Sequence, residues 1–69
     1  MDIVKSTTDK AEVVMSSEEL LIVNAALNEV CHGIEIFEFE TRIGSDRNKV
    51  AALLNAFGAL LDRMGSDQT

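Results

Sequence analysis

The sequence has no proline, no tryptophan and no tyrosine, and a single cysteine, Cys31. One thiol makes no intramolecular disulfide and supplies one thiolate ligand, which excludes both a disulfide scaffold and a cysteine-rich zinc site. Such cysteine usage is what a cytoplasmic protein shows. Without proline, every amide in a periodic segment remains a hydrogen-bond donor, so helices can run uninterrupted from cap to cap. No stretch of about 18 apolar residues is present, and the segment Met1 to Lys10 lacks the apolar core of a secretory signal. Neither secretion nor membrane insertion is expected.

Positive charge is also scarce. Six Lys and Arg stand against twelve Asp and Glu, a net charge of -6. In so small a body this makes most of the surrounding potential negative and repels phosphate backbones, so nucleic acid is an unlikely partner. A basic protein surface is the partner that such a field would capture faster.

What is present is 69 residues, 46% of them hydrophobic, which is one small domain rather than a multidomain enzyme. A chain near 60 residues buries only about 60% of the surface it exposes when unfolded, so the core is thin and a partner subunit would stabilise it. Residues 1 to 10 read as a flexible N-terminal tail and 11 to 69 as a single helical domain. Ala11 to Met15 is a short apolar run, suited either to an edge strand or to a lead into the first helix.

The first helix is expected over about 17 to 32. Ser16-Ser17-Glu18-Glu19 is a capping box with Ser16 as N-cap and Glu19 at N3, and Met15 and Leu20 occupy the positions of a hydrophobic staple. Leu20, Val23, Leu27 and Val30 recur at helical spacing, Cys31 lies alongside, and Gly33 is the expected left-handed stop. The last helix, about 46 to 64, carries a stripe of Val50, Leu53, Leu54, Phe57, Leu60, Leu61 and Met64, with Ser45 as cap and Gly65 as its end. Ala51, Ala52, Ala56, Gly58 and Ala59 form a small-residue surface that permits close approach of another helix. The middle segment is ambiguous: residues 37 to 43 alternate like a strand, yet Ile36, Phe39 and Ile43 share a helical face, Arg42 suits a last turn and Gly44 a stop. We favour a short helix over 36 to 43. The expected fold is therefore mostly α, two main helices plus a short middle one, with α+β and strands near 12 to 15 and 36 to 43 as the alternative.

Ala26-Leu27-Asn28-Glu29-Val30-Cys31-His32-Gly33, followed by Glu38-Phe39-Glu40-Thr41-Arg42-Ile43-Gly44, resembles a family of small uncharacterised bacterial proteins. The likeness covers about the central third of the chain. It implies a stand-alone bacterial protein and brings no activity, ligand or catalytic residue with it.

Several clusters bear on chemistry. Cys31 and His32 are adjacent, but at about 100° per residue Cys31 falls on the apolar stripe while His32 turns to the polar side, so a thiol activated by its neighbour is not expected. His32 with Glu29 or Glu35 supplies too few ligands for a metal. Glu35, Glu38 and Glu40, interleaved with Ile36, Phe37 and Phe39, read as a solvated acidic face and a candidate surface for a partner. Gly44-Ser45-Asp46-Arg47-Asn48-Lys49-Val50 has the form of a helix-turn-helix corner, although only Arg42, Arg47 and Lys49 give it positive charge. Leu21 and Ile22 lie outside the main stripe of the first helix. With Phe37 they are the expected interface of a homodimer, unless the middle segment folds over them.

No catalytic, cofactor or metal site is expected. The expected function is a non-enzymatic, acidic protein-interaction module that dimerises. The alternatives are an acidic inhibitor of antitoxin or immunity type covering a basic protein surface, and a helix-turn-helix regulator.

Overall fold

The computed structural model describes residues 1–67, with side chains through residue 65. The order of elements is β1 (Asp2–Ser6), β2 (Ala11–Val14), α1 (Ser17–Asn28), a π-helical turn (Glu29–Gly33), α2 (Phe39–Ile43) and α3 (Arg47–Asp67). The fold is mostly α, as the periodicity predicts, with a small antiparallel hairpin added at its start.

That hairpin corrects the reading of residues 1 to 10 as a tail. Its turn contains neither glycine nor asparagine. The Thr7 hydroxyl instead accepts from the amides of Asp9 and Lys10 at 3.3 and 3.1 Å, and the Thr7 amide bonds the Lys10 carbonyl at 2.8 Å. The register pairs Asp2 with Val14, Ile3 with Val13, Lys5 with Glu12 and Ser6 with Ala11, with an irregularity between Ile3 and Lys5 that leaves Val4 over as a bulge residue. Every residue of both strands is exposed.

α1 begins as its capping box dictates. The Ser16 hydroxyl accepts from the Glu19 amide at 3.1 Å, and the Glu19 carboxylate accepts from the Ser16 amide at 2.9 Å. Its end differs from expectation. Gly33 does not take a left-handed conformation, because the helix widens into the π turn and Ile34, in extended backbone, donates to the Glu29 carbonyl at 2.9 Å. A Cβ at Gly33 would meet only the tip of the flexible Glu29 side chain folded across it, so the position does not demand glycine.

The middle helix is one turn long, Phe39–Ile43, rather than 36 to 43, and no strand forms there. It is bracketed by two left-handed residues, Glu38 (φ 55) before it and Gly44 (φ 84) after it. α3 then runs past Gly65, which adopts no left-handed turn and so does not end it. Its side-chain cap is Asp46, whose carboxylate accepts from the Lys49 amide at 2.8 Å, and not Ser45.

α1 and α3 pack antiparallel: Leu20 at the start of α1 lies with Met64 of α3, and Val30 beyond its end lies with Val50. Cys31, Phe39 and Val50 form the buried cluster, with Leu27, Val30, Ile36, Ala51 and Leu54 packed against it. The molecule measures 40 × 32 × 16 Å.

Candidate functional site

At one end of the layer, α2 closes the gap between the two long helices. Phe39 inserts as its buried anchor, 8% exposed. Arg47, at the start of α3, lies over the Phe39 ring at 4.5 Å from its centroid and donates to the Cys31 carbonyl at 3.1 Å. One guanidinium thus ties the π turn, α2 and α3 together, and satisfies a carbonyl that the widened turn leaves free. Arg47, which the helix-turn-helix pattern would aim at nucleic acid, is engaged within the fold, and nothing in the local pattern shows this junction. Cys31 is buried and His32 exposed, as their helical positions predict.

The other end has no such closure. Val13, Val14 and Met15 lead from the hairpin past Leu20, and with Leu60 and Met64 they line an open groove of about 450 Å³. Further along, Leu27, Val30, Ile43, Val50 and Leu53 line a second groove of about 530 Å³, with Lys49 the single charged residue bordering either groove. Leu53 and Leu60 stand two helical turns apart and are 50% and 43% exposed. Both have the helical spacing of a core stripe. The contrary signal is the width of that stripe, since seven apolar positions on α3 span more of its circumference than α1 alone can cover.

The residues expected at an interface are on the surface. Leu21, Ile22 and Phe37 are 56%, 63% and 78% exposed, and the middle segment does not fold over the first two. Glu35, Glu38 and Glu40 are exposed, as is Phe37, the first two in the loop before α2 and Glu40 in its first turn. None of the three glutamates lines either groove, although Glu40 is one helical turn from Ile43, which does.

The Met1 ammonium bonds the Glu19 carboxylate. That contact, followed by the bond from the Ser16 amide, holds the Glu19 carboxyl below its ordinary value of 4.5. Among the described residues no three His, Cys, Asp or Glu gather as metal ligands, and no helix is long and apolar enough to cross a membrane.

The exposed surface totals 5608 Å². A compact monomer of 7.5 kDa exposes roughly 4,250 Å², leaving an excess of about 1,350 Å². The radius of gyration, 13.8 Å, likewise exceeds the roughly 11 Å expected for 69 residues. No protein-family model, curated protein or solved structure matches the chain.

Proposed function

We propose that this protein is a non-enzymatic, acidic interaction module of the bacterial cytoplasm that works as a homodimer. The observation that carries the reading is the surface excess of about 1,350 Å² per chain. Doubled across a two-fold interface it gives about 2,700 Å², within the range of obligate homodimers. Leu53 and Leu60 add exposed apolar side chains from which interfaces are built. The one thiol is buried and the one imidazole exposed, which favours binding over nucleophilic chemistry. Light scattering coupled to size exclusion at micromolar concentration tests this. We expect twice the 7.5 kDa of one chain, and a single-chain mass across that range would overturn the reading.

A second reading has its own observation. Phe37 is exposed in a segment that also exposes Glu35, Glu38 and Glu40, and Glu38 is held in a left-handed conformation that costs a non-glycine residue about 1 kcal/mol. A strained, acidic loop with an exposed aromatic suits an inhibitor that covers a basic protein. Its mark is capture of one basic protein from native extract that salt releases and Phe37→Ala abolishes. Recognition of DNA is the least favoured, given the charge of -6 and the engagement of Arg47 within the fold.

A further inference from the structure

We infer that a second copy of this chain stacks on the grooved face of the α1–α3 layer, burying Leu53 and Leu60 of each protomer in a shared four-helix core. The inference rests on the homodimer reading above and assigns the face that carries it.

Two helices packed side by side bury one flank of each and leave their broad faces open. On this face Leu53 and Leu60 form a ridge along α3, with a groove of about 450 Å³ beside Leu60 and one of about 530 Å³ beside Leu53. A ridge flanked by grooves is self-complementary: a copy related by a two-fold axis sets its ridge into the grooves opposite and receives theirs. The product is the usual solution for helices that lack a second layer, a four-helix core.

Charge identifies the occupant. Two chains of net charge -6 repel each other, so they meet with least penalty where acids are absent. No Asp or Glu lines either groove, and Lys49 is the one charge at their border. A basic partner would find nothing there to pair with. On the outer side of α1, by contrast, Glu18 lies one helical turn from both Leu21 and Ile22, so two copies joined there would bring like charges together.

The test compares the full chain with two double variants by light scattering. Leu53→Glu with Leu60→Glu is expected to weaken the dimer more than about 100-fold and give a single-chain mass. Leu21→Glu with Ile22→Glu is expected to keep the dimer. Circular dichroism checks that each variant folds. A photo-reactive benzoylphenylalanine placed at Leu53, which keeps the site apolar, is expected to cross-link two chains, whereas the same group at Leu21 is not. A dimer that survives the Leu53 and Leu60 changes, or one that cross-links only from Leu21, would overturn the face while leaving self-association intact. A wild-type monomer would overturn both.

Discussion

The two ends of the helical layer are built from similar side chains and reach different states of closure. At the Cys31 end, α2 supplies a third element whose Phe39 is buried between the long helices, and Arg47 fixes it from two sides. At the Leu20 end the third element is the hairpin, which buries no residue of its own and leaves Phe57, Leu60 and Met64 beside an open groove. Each end has an aromatic, Phe39 on α2 and Phe57 on α3. What differs is whether the covering segment brings an apolar anchor, and a covering strand with all its side chains in solvent does not close a core.

The largest test of this contrast is a pair of truncations. Phe39→Ala is expected to cost about 3–5 kcal/mol and Phe57→Ala, only half-buried in one chain, about 2 kcal/mol, both read by urea unfolding at nanomolar concentration. If the open end is completed by a second copy, the gap between the two variants narrows as protein concentration rises into the micromolar range. A gap that stays constant would mean that Phe57 is never covered.

The brackets of α2 come next. Gly44→Ala places a side chain at φ 84 and is expected to cost about 1–2 kcal/mol, loosening the closed end. Glu38→Gly relieves φ 55 and is expected to stabilise by about 1 kcal/mol. Opposite signs at the two ends of one turn, measured by thermal unfolding, are the expected outcome. Gly33→Ala should be nearly neutral, since its backbone is not left-handed and the Glu29 carboxylate can swing aside.

Caps separate the ends more finely. Ser16→Ala, at the open end, and Asp46→Ala, at the closed end, remove one side-chain acceptor each and are expected to cost about 1 kcal/mol apiece. Equal losses would show that local capping is indifferent to how well the surrounding core is closed.

The smallest effect concerns pH. The folded-state pKa of Glu19 is lowered, first by the Met1 ammonium and then by the Ser16 amide. Its contribution is thus complete above the ordinary value of 4.5, and declines as pH falls from there through the folded value. Glu19→Gln is expected to flatten the stability profile below that pH and to leave its shape at neutral pH unchanged.

Much of the helical framework can be read from local chemistry. The Ser16–Glu19 box, the stripe of Leu20 to Val30, the stop at Gly44 and the opposite exposures of Cys31 and His32 each depend on neighbours within a turn. The hairpin is harder to see because Val4, as a bulge residue, breaks the alternation that marks a strand, and because its turn depends on the Thr7 hydroxyl rather than on glycine. The π turn leaves no mark in the hydrophobic spacing, so Gly33 reads as a terminator. The open face was concealed by a different cause. Leu53 and Leu60 have the spacing of core residues, and only the number of helices available to cover them shows that they are uncovered.

The bulge at Val4 also bears on how far assembly can go. A two-stranded ribbon carrying Ile3, Val4, Val13 and Val14 in solvent, with both outer edges unpaired, is a template for further strands. The extra residue interrupts the ladder and increases its twist, and Lys5 follows it on the same edge. A second chain therefore finds no flat, continuous row of amides and carbonyls to extend along β1. Growth of an open-ended sheet is hindered on the β1 edge, whereas the two-fold contact proposed on the helical face would close on itself after two copies.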